Sequence, residues 1–553
     1  MTEAQAQAGT AATRVASLAG RVALRLVPAI FVVVLFAWPV VALVRRAVAL
    51  AGDTGSGLGD LLDRTDALGL LGVTLGQAAA STVLALLAAA PIAWLFARVR
   101  GRTAIILAVI VTVPFVLPTV VVGIAFRSLL SGPLAFLHIE SGLPAVLAAH
   151  MFINVAVVVR VVGAAWRGLD PRVVEAARTL GAGRLRAVRT VVLPRLVPSI
   201  ASAAALIFLF CSTSFGVVII LGAGELRTLE TEIYTQAIGY FRIPEAVALS
   251  TLQIVVVVAA LLLTRVFTDP AGTGSAGAGR RHAGSAAHGR WTRPAMWAAG
   301  VWTVVLLVGP VVVLLVRSVR PVADGGWTLA GYRALAEPVN GVTPLESLRY
   351  SLLTALAATA IAMAVGTLAA VALHRSHGFL GTVGSAISLV PLGISAVTLG
   401  FGYLIVLASM PYAIAASPAV IPLVQALIAI PVVIRIMLPA LDSVPARQRH
   451  AAATLGAPPW RVFVTVDMPV VGRSMAAAGG FAFVMALGEF GATSFLARAD
   501  TTTLPVLIGS ALNRPGADNL ATAMAASVVL VVATTVAVVA VEAFRPRTEV
   551  PLL

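Results

Sequence analysis

The 553-residue chain is 59% hydrophobic and only 11% charged, where a soluble domain carries about a quarter charged residues, so a water-soluble globular fold is excluded. All 39 basic residues are Arg, which rules out a Walker A loop and Schiff-base chemistry, both of which need Lys. The single cysteine, Cys211, rules out intrachain disulfides and Cys-based zinc sites, and a mean hydropathy of +0.99 points to a lipid environment.

In chain order, the first 25 residues are polar and Ala-rich, with Arg14, Arg21 and Arg25. The apolar run that follows is longer than a signal-peptide core, so it is read as a retained span. Twelve apolar blocks then recur near 26–44, 70–97, 104–126, 143–165, 199–222, 246–267, 295–316, 350–373, 382–408, 418–440, 474–497 and 522–543. Each is close to the roughly 20 residues that cross a bilayer as helix, and no ten-residue alternation suggests a barrel. The expected fold is an all-α polytopic membrane protein of about twelve transmembrane helices. With a cytoplasmic N-terminus and alternating spans, cytoplasmic segments together with the span ends that adjoin them hold 27 Arg against 8 acids, and external segments 12 Arg against 14. That asymmetry fixes the orientation with both termini in the cytoplasm, and it assigns the +16 net charge to lipid and a cytoplasmic partner rather than nucleic acid. Cys211 falls inside an apolar block and is read as a buried small hydrophobe.

The chain is one unit written twice. EAARTLGAGRLRAVRTVVLP (Glu175 to Pro194) recurs 275 residues later as HAAATLGAPPWRVFVTVDMP (His450 to Pro469). The same shift carries Arg160 onto Arg435, Ser214-Phe215-Gly216 onto Glu489-Phe490-Gly491, and Thr228-Leu229 onto Thr503-Leu504; a shift of 277 lays Pro114 and Gly123 over Pro391 and Gly400. Because the shift is a whole unit of six helices, the copies are parallel repeats. Residues 1–268 form the first, 295–553 the second, and the Gly-, Ala- and Ser-rich 269–294 a flexible cytoplasmic linker. A metal role for His282 and His288 in that linker is a weak reading.

In each half the longest cytoplasmic loop, between the fourth and fifth spans, carries Glu-Ala-Ala, three residues, Gly, nine residues, an aliphatic, one residue and Leu-Pro. The residues are Glu175, Ala176, Ala177, Gly181, Val191, Leu193 and Pro194. Asp170-Pro171 suits a helix start, the alanines permit close approach, and Gly181 permits a tight turn. Such a short surface helix can dock in a partner's groove. The pattern resembles the EAA loop of permeases in binding-protein-dependent ABC importers. The resemblance implies the type I importer permease fold, coupling helices at 170–195 and 445–470, and two copies of a separate ABC ATPase that binds ATP and Mg. It also implies an external substrate-binding protein and a place in the bacterial cytoplasmic membrane, with no cofactor on this chain. In the second copy His450 replaces Glu and Met468 replaces Leu, while Ala451, Ala452, Gly456 and Pro469 keep the pattern, so the two ATPase contacts are expected to be unequal.

For the substrate pathway the candidates are Glu489, inside the eleventh block, its counterpart Ser214, and His150 with Asn154 four residues on. Intramembrane ionisable groups often mark a pathway, but Glu489 can equally be satisfied by backbone where the helix bends near Gly488 and Gly491. His150 and Asn154 can equally make interhelical hydrogen bonds. Glu225, Glu230, Glu232 and Tyr234 are expected in an external loop, either solvated or touching a delivering protein. The whole chain is similar to the fused two-copy permeases of ferric iron and thiamine importers; AALIFLFCSTSFGVVIILGAG and TLETEIYTQA are closest to the thiamine branch. Thiamine or its phosphates is therefore favoured over ferric iron, with other small solutes such as phosphonates behind. The competing class is an ion-gradient-driven secondary transporter, which would need a relay of intramembrane acids and leaves the paired loops unexplained. A channel or scaffold stands further back.

Overall fold

A computed structural model describes residues 26–53, 58–267, 292–321, 326–339, 341–374, 395–498 and 501–544. The first half runs α1 (Leu26–Ala49), α2 (Ala67–Arg98), α3 (Arg102–Val116), α4 (Thr119–Leu130) and α5 (Gly142–Arg167). It continues through α6 (Pro171–Thr179), α7 (Leu185–Ser212), α8 (Gly216–Leu221), α9 (Leu229–Tyr234) and α10 (Ile243–Leu262). The second half runs α11 (Thr292–Val319), α12 (Pro344–His374), α13 (Ala396–Ala408), α14 (Val420–Asp442) and α15 (Ala446–Thr454). It ends with α16 (Pro459–Leu487), α17 (Thr493–Leu496), α18 (Leu504–Leu512) and α19 (Ala517–Ala540). Among the described residues ten helices are long and apolar enough to cross a membrane, or eleven if the bent pair α3 and α4 is one span. Helix is present in all twelve apolar blocks, the ninth being described only from residue 395. Of the expected linker 269–294, residues 269–291, with His282 and His288, lie outside the described residues, as does Pro391.

Three of the expected spans are not single helices. The third block is broken by 100° between α3 and α4. Leu117 precedes Pro118, a position biased away from the α region, and it is extended at ψ 138. In the second half Ser395 occupies the place of Pro118 and reaches the same backbone by capping: its Oγ accepts from the N–H groups of Val397 and Thr398 at 3.1 and 3.2 Å. The fifth and eleventh spans end early, at Ser212 and Leu487, and each starts earlier than the apolar block suggests, inside the preceding loop. Pro194 and Pro469 therefore sit within continuous helices rather than at a re-entry point. A five-residue π-helical turn precedes each, 188–192 and 463–467; this wider turn accommodates a residue that has no N–H and crowds the preceding carbonyl.

The duplication extends to single hydrogen bonds. The N–H of Leu229 donates to Thr74 Oγ1 at 3.0 Å, and in the second half the N–H of Leu504 donates to Ser351 Oγ at 2.7 Å. Each half has a core of three helices, α2, α5 and α7 in one and α12, α14 and α16 in the other. The first helix of each half reaches across to its partner half. α1 lies on α13, where Tyr403 donates to the carbonyl of Leu35 at 2.5 Å, and α11 lies on α2 and α4, where Trp302 Nε1 donates to the carbonyl of Ala88 at 2.9 Å. The outer face of α1 stays exposed and apolar (Leu26, Val27, Ile30, Val41), as a lipid-facing surface should be.

Close packing between α13 and the chain after α16 depends on Gly400. A Cβ there would lie 2.7 Å from Ala492 Cα and 2.9 Å from its carbonyl oxygen. Gly400→Val should therefore destabilise by about 1–3 kcal/mol through overpacking, read as a lower melting temperature in detergent. Gly472→Ala, where a Cβ meets nothing within 4 Å, should leave that temperature unchanged or slightly raised.

Candidate functional site

The two copies of the loop, at 170–195 and 445–470, build the same object. Asp170 caps α6, its carboxylate accepting the N–H of Arg172 at 2.9 Å, with Pro171 at the first helical position. The helix closes with Gly181 at φ +87: Gly181 N–H donates to Arg178 O and Ala182 N–H to Ala177 O, both at 3.0 Å. This paired closure satisfies carbonyls that would otherwise be orphaned, and its left-handed residue favours glycine. α15 ends identically through Gly456 at φ +79, with Gly456 N–H to Ala453 O and Ala457 N–H to Ala452 O. Its start has no side-chain cap, since Pro445 stands where Asp170 does.

Neither helix has a buried residue. Glu175, Ala176, His450 and Ala451 are exposed, Ala177 and Ala452 half-buried, and Leu193, Pro194 and Pro469 exposed on the following helices. The residue before each glycine escaped the sequence reading. Leu180 and Leu455, equivalent in the repeat, are each 89% exposed, and Leu185 and Trp460, also equivalent, are exposed beside them. An apolar side chain at the same exposed place in both copies was the available signal.

The second loop is held in a way the first is not. Arg449 Nε donates to the buried Asp467 at 2.6 Å, its Nη1 meets His374 Nε2 at 2.9 Å, and its Nη2 donates to Leu441 O at 2.8 Å. His374 Nδ1 meets Asp442 at 2.6 Å. Valines, Val174 and Val192, occupy the equivalents of Arg449 and Asp467 in the first half. Arg449→Ala should destabilise by about 2 kcal/mol, below the cost for a fully buried pair because Arg449 is partly solvated. Adding Asp467→Asn should recover most of that loss; a thermal melt of both variants checks it.

The pathway candidates gather where the halves meet. His150 lies between Ser81 Oγ (3.0 Å) and Ser214 Oγ (2.8 Å). Asn154 is not joined to the side chain of His150; its amide donates to that residue's carbonyl and to Cys211 Sγ. Cys211 is buried and free. Glu489 follows the end of α16, and its carboxylate accepts backbone N–H groups of Ala492 (2.8 Å) and Thr493 (2.9 Å). The neighbours of Ser214 and Glu489 touch across the halves: Phe215 and Phe490 stack with ring centres 5.3 Å apart and planes 19° apart. Tyr234 packs on both Phe215 and Phe495. The motif pairing SFG with EFG thus becomes one aromatic contact, with the shared Phe at its centre.

The expected external acidic loop is not one. Only Glu225 stays exposed, whereas Glu230 and Glu232 are 0% and 3% exposed. The chain after α8 folds back inward, and Thr228 with Thr231 forms a capping box that starts α9 among the core helices. Glu232 accepts from Gln236 and pairs with Arg227. Glu230 accepts from Gln253 Nε2 at 2.7 Å and from Ser395 Oγ of the other half.

A family model described as binding-protein-dependent transport system inner membrane component matches residues 81–269 and again 362–550. The chain belongs to that family. It is a fused, two-copy permease of an ABC importer and a multi-pass membrane protein. The permease is 27% identical over 453 residues to a thiamine transport system permease protein of Brucella abortus, covering 79% of this chain and 80% of that one. It is 26% identical to the thiamine transport system permease protein of Escherichia coli, over 68% and 69% of the two chains. A molybdenum transport system permease protein of Azotobacter vinelandii is 32% identical over 179 residues, 30% of this chain and 79% of that one. The short molybdenum relative matches about one unit, while the thiamine relatives align across most of the length.

Proposed function

We propose that the permease carries thiamine or its phosphate esters into the cell, delivered by an external binding protein and driven by two copies of a separate ATPase. The observation that carries the cargo is the similarity to thiamine permeases over 80% of the Brucella relative's length. The ATPase copies, which bind ATP and Mg themselves, dock on α6 and α15. Glu175, Ala176, Ala177 and Gly181, with His450, Ala451, Ala452 and Gly456, form the docking faces, and Leu193, Pro194 and Pro469 carry the motion into α7 and α16. Residues 1–268 and 295–553 act as the two moving units, with both termini in the cytoplasm, as the arginine excess of the cytoplasmic segments supports. ATP-driven closure of the ATPase pair changes the relative free energy of inward- and outward-open states, which coupling requires. His150, Asn154, Ser214 and Glu489 stand beside the passage. Nothing about these sites favours an ion-gradient-driven carrier, for which the paired docking helices have no role.

Uptake of labelled thiamine at nanomolar concentration, in cells with and without the gene, tests the cargo. Deletion should abolish high-affinity uptake and the intact gene should restore it. Unchanged uptake would overturn the cargo and leave the importer standing.

A further inference from the structure

Glu230 is a buried carboxylate that accepts only neutral donors, Gln253 Nε2 and Ser395 Oγ, and among the described residues it pairs with no basic side chain. A carboxylate kept in a membrane interior is costly and seldom retained without a role. Its bond to Ser395 crosses from the first half to the second. Tyr234, four residues on and hence on the same helix face, packs against Phe215, which stacks on Phe490 of the other half. The Oε1 atom of Gln253, a residue 0% exposed, has no hydrogen-bond partner. The second half does not repeat this arrangement: Pro505 stands at the place of Glu230 and Gly509 at that of Tyr234. Gly509 instead lies under the ring of Phe490, where an added Cβ would be 3.2 Å from its edge.

We propose that Glu230 and Gln253, with the aromatic faces of Phe215, Phe490 and Tyr234, form a one-sided transit site for a flat organic cation, closed here by Ser395. Separation of the halves unstacks the phenylalanines and releases the carboxylate from Ser395. The aromatic faces then offer cation–π contact, Glu230 supplies the counter-charge, and the free amide oxygen of Gln253 accepts an N–H of the cargo. Because Glu230 has no counterpart in the second half, where Pro505 stands, the site orients a cargo whose charge lies at one end. The inference rests on the thiamine reading and sharpens it by naming the residues that favour a cation.

The test is thiamine uptake by the complete importer in cells carrying Glu230→Gln or Glu230→Asp, at matched membrane abundance and melting temperature. Glu230→Gln keeps side-chain length and one accepting oxygen, while its new NH2 can donate to the free Oε1 of Gln253; it removes the charge and should lower uptake about tenfold, the effect of losing one counter-charge contact in transit. Glu230→Asp keeps the charge and should retain at least about a third of wild-type uptake, although it shortens the side chain. A purely structural glutamate gives the reverse ranking, with Gln tolerated and Asp damaging, and that result overturns the site. Wild-type-like uptake by Glu230→Gln overturns it equally. If the intact importer moves no thiamine, it is the cargo reading that fails, and the site as stated falls with it.

Discussion

Leu180→Asp together with Leu455→Asp should reduce ATP-driven uptake by on the order of a hundredfold, with no change in melting temperature. Each leucine is 89% exposed at the end of its short helix, α6 or α15, held out by a closure that turns the chain at Gly181 or Gly456. An apolar side chain presented to water this fully adds little to the fold, so replacing it costs little stability. Seated in a partner's groove, the same side chain is the kind of anchor whose loss costs about 2 kcal/mol, and a charge placed there must also be desolvated. Two such losses together exceed what most transient interfaces can bear. Copurification of the ATPase with the tagged permease should fail in parallel with uptake. The single variants should be unequal, as should Glu175→Ala and His450→Ala, with the larger loss from the first half. There a carboxylate occupies the motif position, and no Arg449–Asp467 pair braces the loop. Equal losses from both halves would show that the two contacts are equivalent.

Glu489→Ala should lower uptake more than about tenfold and destabilise by about 2–4 kcal/mol. The carboxylate accepts two buried backbone N–H groups, of Ala492 and Thr493, and charged acceptors are worth about 1.5–3 kcal/mol each before compensation. Removing it frees the Gly488-to-Gly491 turn that holds Phe490 against Phe215. Glu489→Gln keeps an acceptor and should recover much of the stability. If Gln recovers stability but not uptake, the charge itself acts on the cargo; if it recovers both, Glu489 shapes the turn alone. In the first half Ser214→Ala breaks only the neutral bond to His150 and should cost about 1 kcal/mol. A thermal melt and an uptake assay on the same preparations separate these outcomes.

Most of the architecture is legible in the sequence because lipid imposes it. Spans must be apolar and helical, and a duplicated unit repeats its landmarks at a fixed shift. The short helices α6 and α15 were equally visible, since caps, small residues and a C-terminal glycine are local signals. What stayed hidden arises from tertiary packing. The break at Leu117-Pro118 has a local cue, but an apolar run masks it. The helix start at Ser395 has only the weaker cue of a serine able to cap, set within an apolar run. Apolarity alone cannot separate a spanning segment from one that turns back inside the bundle, so α8 and α17 read as the ends of spans. For the same reason Glu230 and Glu232 read as external: acidic residues near an apparent span end look solvated, and only the fold-back buries them. The Phe215–Phe490 stack joins residues 275 positions apart; the repeat marked both as equivalent without showing that equivalence places them face to face.

The most direct test of the central claim is substrate uptake into proteoliposomes holding the purified permease, with the loaded binding protein outside and the ATPase and ATP inside. Uptake should require all three additions and persist when ion gradients are collapsed. Uptake by the permease alone, driven by a proton or sodium gradient and indifferent to ATP, would contradict it.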